Sequence, residues 1–193
     1  MSENPLRCEI FWANLEPVVG SEQGKSRPVL IISNNLMNET APVVIVIPMT
    51  TSDEKVKSGP FNIPYKSPQI SVNNSAVEEL KKLGHYYNPQ ADGVLLCNQG
   101  RTISKSRLIH KVGSFNDITV IRSVEEAVKH SYALEACEVC GIPLRTNGLF
   151  CIRCKRQYRK LCVCGKIVKI EYNFCPKCGR RIQVESSKQT GLN

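Results

Sequence analysis

The chain has 193 residues, 41% of them hydrophobic and 22% charged, with a formal net charge of +9; that length accommodates one ordinary domain of about 100–150 residues and a small second one. Its longest apolar stretch, Val43 to Ile47, is far short of the roughly 20 residues needed to span a bilayer, which excludes a membrane function. Glu3, Arg7 and Glu9 interrupt the N-terminus where a secretory signal needs an unbroken apolar core, so a cytoplasmic location is expected.

In chain order, Cys8 to Leu15 reads as a strand through the β-formers Ile10, Phe11 and Trp12, and Arg27 to Ser33 reads as a buried strand. Glu16 to Ser26, with Pro17, Gly20 and Gly24, is a long polar loop between them. Pro42 to Met49 is a further buried strand, and Thr50 to Gly59 a polar, lysine-containing loop. Short strands are expected at Pro60 to Tyr65, Gly93 to Asn98 and Arg101 to Ser104. Ser75 to Leu83 has the pattern of a helix capped by Ser75, with Glu78 completing a capping box and Gly84 ending it. Asp117 to Ala136 sets Val120, Val124, Ala127, Val128, Ser131 and Leu134 on one face of a closing amphipathic helix. The class is mainly β: five or six short, mostly antiparallel strands in a small barrel, with a C-terminal helix.

The remainder has another character. Through Ala136, 14 Lys and Arg balance 14 Asp and Glu, whereas Cys137 to Asn193 carries 12 against 3. A cationic unit on a neutral one calls for an anionic partner, nucleic acid first; a solubilising surface is the alternative. Eight of the ten cysteines form four knuckles here: Cys137 and Cys140, Cys151 and Cys154, Cys162 and Cys164, Cys175 and Cys178. Close thiolate pairs on tight turns, repeated about ten residues apart, are the pattern of tetrahedral zinc sites. Gly141, Gly165 and Gly179 follow the second cysteine of three knuckles. A disulfide framework would need an oxidising compartment. Sequential pairing gives two four-thiolate sites, Cys137/Cys140/Cys151/Cys154 and Cys162/Cys164/Cys175/Cys178, with an interleaved cross-brace as the alternative. Both sites are closed and therefore structural. Few large apolar side chains lie between the knuckles, so folding should depend on the metal. Arg153, Lys155, Arg156, Arg159 and Lys160 form a candidate phosphate-binding cluster, with Tyr158 available to stack on a base. Cys8 and Cys97 are expected as buried small hydrophobes. The domain plan is a barrel over 1–136, a double zinc ribbon over 137–182 and a polar tail over 183–193.

Leu15-Glu16-Pro17-Val18-Val19-Gly20-Ser21-Glu22-Gln23-Gly24-Lys25-Ser26-Arg27-Pro28-Val29-Leu30 resembles the opening motif of the MazF/PemK toxin family. Agreement continues through Ile47-Pro48-Met49-Thr50-Thr51, Pro60-Phe61, Val94 to Ile103, and Val124-Glu125-Glu126-Ala127-Val128. The resemblance covers about residues 6 to 135 and leaves the cysteine module as an addition. It implies an SH3-like barrel of the MazF/CcdB type, a homodimer, an antitoxin partner, and sequence-selective cleavage of single-stranded RNA without a metal ion. It also implies Arg27 and Thr50 as the catalytic pair, with Ser21, Glu22, Gln23, Thr51 and Gln99 at the substrate.

Chemically, a guanidinium suits the charge that builds on phosphorus when the neighbouring 2′-hydroxyl attacks. The plain alternative for Arg27 is a strand-end arginine paired with Glu22, and for Thr50 a hydroxyl capping its loop. Asn98 replaces the aspartate common in the family, and the link from Ser67 to Ala91 is long. His85, His110 and His130 fall in no matched active-site motif. Competing functions are an inactive barrel serving as a zinc-dependent nucleic-acid-binding or adaptor protein, and a topoisomerase inhibitor of the CcdB type.

Overall fold

Alternation of buried and exposed side chains sets the first sheet. β1 (Glu9–Asn14) pairs antiparallel with β2 (Ser26–Ile31), Ile10 facing Leu30 and Ala13 facing Arg27. α1 (Asn35–Thr40) follows, capped by the Asn34 side chain, which accepts from Met37 N–H. β3 (Val43–Thr51) then returns along β2 with Val29 opposite Pro48. The structure, a computed structural model, describes residues 4–51, 61–145 and 147–182. The loop expected from Thr50 to Gly59 and the strand expected to begin at Pro60 thus fall partly outside the described residues, and the tail at 183–193 falls wholly outside them.

β4 (Asn62–Tyr65), β5 (Ile70–Val72), α2 (Asn74–Lys82), β6 (Gly93–Leu96), β7 (Arg101–Ser104), β8 (Leu108–Phe115) and α3 (Ile118–Ser131) complete this part. The sheet runs β4-β6-β3-β2-β1-β8-β5, with β7 paired to β3. It curls as an antiparallel half-barrel. Because side chains alternate across a strand, the sheet carries two apolar faces. Ile10, Leu30, Ile47, Met49 and Leu95 join α2 and α3 through Leu80, Val120 and Val124. Ala13, Leu15, Val29, Ile31, Val44, Val46 and Ile103 form the other core.

Three expectations are corrected. The cap of α2 is Asn73, whose side chain accepts from Ala76 N–H; Ser75 Oγ donates to Asn73, and Glu78 pairs with Lys81 instead of completing a box. α3 stops at Ser131 and not at Ala136, because Tyr132 caps it and Ala133 adopts a left-handed conformation, φ 50°. Leu134 is therefore off the helix and 68% exposed. β5, β8 and α1 are elements beyond those expected.

The chain divides into two compact units after Tyr132. In the second, β9 (Arg159–Leu161) and β10 (Ile167–Lys169) form a hairpin. Matching bridges occur at Ala136 with Pro143, Phe150 with Gln157, and Phe174 with Arg181. Each knuckle is thus the turn of a minimal hairpin. Among the described residues, no helix is long and apolar enough to cross a membrane.

Candidate functional site

The loop between β1 and β2 is folded back on its own neck. Leu15 N–H donates to Lys25 O at 3.1 Å, and Lys25 N–H donates to the Glu16 carboxylate at 2.6 Å. Gly24 packs against the Glu16 and Val18 side chains: a Cβ there would sit 2.5 Å from Glu16 Oε1 and 2.8 Å from Val18 Cγ2, so a larger residue would displace the Glu16 carboxylate from Lys25 N–H. This fold delivers two acceptors to Arg27 at the start of β2. Its Nε donates to Gly24 O at 2.8 Å and its Nη1 to Gln23 Oε1. Nη2 has no partner among the described residues, which leaves one edge of a fixed guanidinium open.

Glu22 does not pair with Arg27, so the strand-end ion-pair reading fails. The Glu22 carboxylate lies 3.3 Å from Arg101 Nη1. Arg101 Nη2 also donates to Leu15 O at 2.6 Å and Gln23 O at 3.2 Å. From β7, where it stands opposite Val46, Arg101 clamps the neck and the tip of the loop together. The sequence places Arg101 in a matched motif and assigns it no role. Its available signal was an arginine opening a short strand directly after a turn. Burial, with the Arg101 charge second, pulls the Arg27 guanidinium below its ordinary value, and Glu16 opposes this. An arginine remains charged at any physiological pH, so the loop is held between two cations.

Thr50 and Thr51 sit where β3 leaves β2 and continues beside β6, with Thr50 opposite Val94 and Thr51 opposite Gly93. The β2–β3 pairs end at Val29–Pro48, so Thr50 lies two residues past the stretch of β3 that runs along β2, and Arg27 two residues before the matching stretch of β2. Thr50 is half-buried and Thr51 exposed. At Gly93 a Cβ would fall 2.4 Å from Thr50 O and 2.4 Å from the Tyr65 hydroxyl; the missing side chain is what lets β6 approach Thr50. Ser21 and Glu22 are exposed on the loop, whereas Gln23 is half-buried. Gln99 ends a 3-10 turn, Cys97–Gln99, which Gly100 caps before Arg101 opens β7.

The histidines are engaged elsewhere. The His85 ring lies 5.7 Å from Trp12, His110 Nδ1 lies 3.5 Å from Glu79, and the His130 ring lies 5.4 Å from Phe61. Cys97 is buried, its thiol pushed up to about 12 by burial, and the half-buried Cys8 is shifted in the same direction for the same reason.

The eight knuckle cysteines assemble into two sets of four, Cys137/Cys140/Cys151/Cys154 and Cys162/Cys164/Cys175/Cys178, each with its sulfurs within 4.8 Å of one another. This is the sequential arrangement and not the cross-brace. Cross-knuckle distances are 3.5 Å for Cys137–Cys154, 3.4 Å for Cys140–Cys151, 3.6 Å for Cys162–Cys178 and 3.7 Å for Cys164–Cys175. A disulfide needs about 2.05 Å, whereas sulfurs about 2.3 Å from one ion stand close to these separations. Backbone amides converge on the sulfurs as a thiolate site requires. Val139 and Cys140 N–H hold the Cys137 thiol below its usual range and Cys154 N–H does the same for Cys151, whereas burial and the neighbouring sulfurs raise Cys154 and Cys162 against the backbone N–H that each accepts. The residues fit a closed metal site in both cases.

The candidate phosphate cluster is rearranged. Lys160 is 8% exposed on β9. Arg159 reaches the Glu135 carboxylate and Arg145 O and lies 5.2 Å over the Tyr158 ring. Tyr158 donates its hydroxyl to Arg145 O at 2.9 Å. These three serve the unit's own fold, leaving Arg153, Lys155 and Arg156 exposed.

Comparison with known proteins bears on the first unit. The profile of a family described as PemK-like, MazF-like toxin of type II toxin-antitoxin system matches residues 6–132. Endoribonuclease EndoA of Bacillus subtilis (strain 168) is 35% identical over 128 residues, which is 66% of this chain and 94% of that protein. Among solved structures, MazF from Deinococcus radiodurans aligns at 20% identity over 66% of this chain and 96% of its own, with a TM-score of 0.49. An endoribonuclease from Mycobacterial species, solved in complex with its cognate antitoxin, aligns at 18% identity over 67% and 96%, with a TM-score of 0.44.

Proposed function

Because this chain belongs to the PemK-like, MazF-like toxin family of type II toxin-antitoxin systems, we propose that its half-barrel is a cytoplasmic endoribonuclease that cuts single-stranded RNA at a short recurring sequence. The observation that carries this reading is the Arg27 guanidinium, fixed through Gln23 and Gly24 with an open edge, while the nearby carboxylate of Glu22 is drawn off to Arg101. A phosphate is thereby offered a preoriented cation that forms no ion pair with a carboxylate among the described residues, with the Glu16 charge opposing the Arg101 charge beside it.

In the proposed step the 2′-oxygen attacks the adjacent phosphorus and loses its proton. The bond to the 5′-oxygen breaks, and that oxygen takes up a proton. The products are a 2′,3′-cyclic phosphate and a 5′-hydroxyl, and no water is consumed. Arg27 stabilises the charge that develops on the phosphoryl oxygens, where a fixed donor acts most strongly. Thr50 donates a hydrogen bond to the same group. Ser21, Glu22, Gln23, Thr51 and Gln99 contact flanking bases, whose edges are exposed in a single strand. Arg101 is a positioning residue, acting through the loop it clamps. The two four-cysteine sets hold zinc, which stabilises the second unit and takes no part in cleavage. A second copy of the chain and an antitoxin protein complete the proposed assembly.

The test is cleavage of a mixed-sequence single-stranded RNA, with product ends mapped. Arg27→Ala should lower the rate by about 10²–10³-fold or more, and the wild-type rate in EDTA should match that without it over the first minutes. Arg101→Lys should lower kcat as well as raise KM, since the loop it loosens holds Arg27 through Gln23 and Gly24, and the pH profile of cleavage should keep its shape. Persistent cutting by folded Arg27→Ala would remove the assignment.

A further inference from the structure

The second unit presents a repeated surface that its fold does not use. Leu149-Phe150-Cys151-Ile152-Arg153-Cys154 and Asn173-Phe174-Cys175-Pro176-Lys177-Cys178 occupy the same place in the two four-cysteine sets. In each, the phenylalanine bridges the far side of its knuckle, Phe150 to Gln157 and Phe174 to Arg181. Burial does not account for either ring: Phe150 is 50% exposed and Phe174 62%. The unit's own apolar cluster consists of Cys162, Val168, Cys175 and Ile182, with Cys164 packed against it. Exposed cations follow both phenylalanines within six residues, Arg153 and Arg156 after the first, Lys177 and Arg180 after the second. None of these four forms an ion pair among the described residues, in contrast to Arg159.

From this repetition we propose that the two ribbons are a tandem stacking platform for single-stranded RNA, with Phe150 and Phe174 each taking one unpaired base and Arg153, Arg156, Lys177 and Arg180 taking the backbone between them. Stacking on an exposed aromatic face is tolerant of sequence, because every base has a π-face, and neighbouring cations supply affinity that falls with salt. Charge decides the class of partner. With 12 Lys and Arg against 3 Asp and Glu from Cys137 onward, the rings stand in a field that attracts a polyanion. The platform gives a nuclease site on the first unit a sequence-blind grip on the same strand. The inference rests on RNA being the substrate of the half-barrel, but its test does not depend on cleavage.

The probe is a labelled 2′-O-methyl oligoribonucleotide of mixed sequence, which lacks the attacking hydroxyl and so cannot be cut. Binding to the full-length, metal-loaded chain is followed by fluorescence anisotropy at several salt concentrations. Phe150→Ala and Phe174→Ala should each weaken binding by about tenfold, and Phe→Trp at either position should restore it. Arg153→Glu with Lys177→Glu should flatten the salt dependence. Metal content equal to wild type certifies that each variant is folded. Unchanged affinity in the metal-loaded double alanine variant would overturn the proposal and turn attention to a protein covering the two rings. Wild-type affinity in that variant together with intact cleavage would discard the platform alone. Loss of cleavage in Arg27→Ala with normal binding would leave both readings standing.

Discussion

Between Glu9 and Ser131 the chain buries whole side chains on both faces of one curled sheet, Ile10, Leu30, Ile47 and Leu95 on one and Val29, Ile31, Val44 and Val46 on the other. From Ala133 to Ile182, two non-cysteine side chains, Val168 and Ile182, share the core cluster with cysteines, while Phe150, Val163 and Phe174 face outward. A sheet of that size stabilises itself by removing apolar surface from water. A segment as short as the second unit cannot, and its order has to come from bonds made by sulfur. What each unit can lose differs accordingly: the first tolerates loss of any ligand, the second loss of almost any surface side chain.

Removing the proposed metal gives the largest expected effect. Structural sites of this kind contribute about 10–16 kcal/mol apiece, so a chelator strong enough to strip both sets should abolish the hairpins of the second unit. Amide signals of the half-barrel in an NMR spectrum should stay dispersed. Loss of dispersion from Leu30 and Ile47 as well would show that the units are not independent.

A smaller break comes from inside the half-barrel. Gly93→Ala puts a methyl group 2.4 Å from both Thr50 O and the Tyr65 hydroxyl, and such overpacking costs about 1–3 kcal/mol. Denaturant midpoints should fall, and cleavage should fall further than stability because Thr50 lies on the displaced strand. Metal content should be unchanged.

The smallest effect sharpens the comparison. In three knuckles the residue after the second cysteine is a glycine at positive φ, Gly141 at 69°, Gly165 at 80° and Gly179 at 68°, and in the fourth it is Lys155 at 62°. Left-handed backbone costs a residue with a Cβ about 1–2 kcal/mol, part of which glycine returns as unfolded-state entropy. Lys155→Gly should therefore raise resistance of the first four-cysteine set to chelator by a few-fold, read as metal release against time. A decrease would mean that the Lys155 ammonium, 3.1 Å from Ile152 O, matters more than the backbone.

Much of this was legible in the residues. Strands that read as apolar runs, Arg27 to Ser33 and Pro42 to Met49, form with ends shifted by one or two positions. β8 was hidden because its register against β1 slips at Ile10/Phe11 and again at Trp12/Ala13; each bulge breaks the two-residue period by which a strand is recognised. α1 is too short to show a helical period, and its one buried residue is Asn38, whose Oδ1 accepts from Ser33 Oγ at 2.5 Å. The α2 cap moved to Asn73 because either of two polar residues could serve, and only the packing of Val77 and Leu80 fixes the phase. At the candidate site, Arg27 and Thr50 stood out through the motif that contains them. Arg101 did not, since its targets, Leu15 O and Gln23 O, are far away in the sequence and no local pattern records a contact of that separation. The cysteine sets were the most legible feature because ligand spacing is itself local.

That locality has a consequence in time. β1 finds its second neighbour only in β8, with Glu9 opposite Ser114 and Ile10 opposite Gly113, and the loop carrying Gln23 is not held until Arg101 exists. A chain emerging from the ribosome therefore carries the Arg27 segment unfastened through most of the synthesis of the first unit, and long-range strand pairing of this kind is slow. Each ribbon, by contrast, gathers its four sulfurs from one short stretch and can close as soon as that stretch and a metal ion are present. The second unit is thus built to be ready quickly, while the first waits for its own far end.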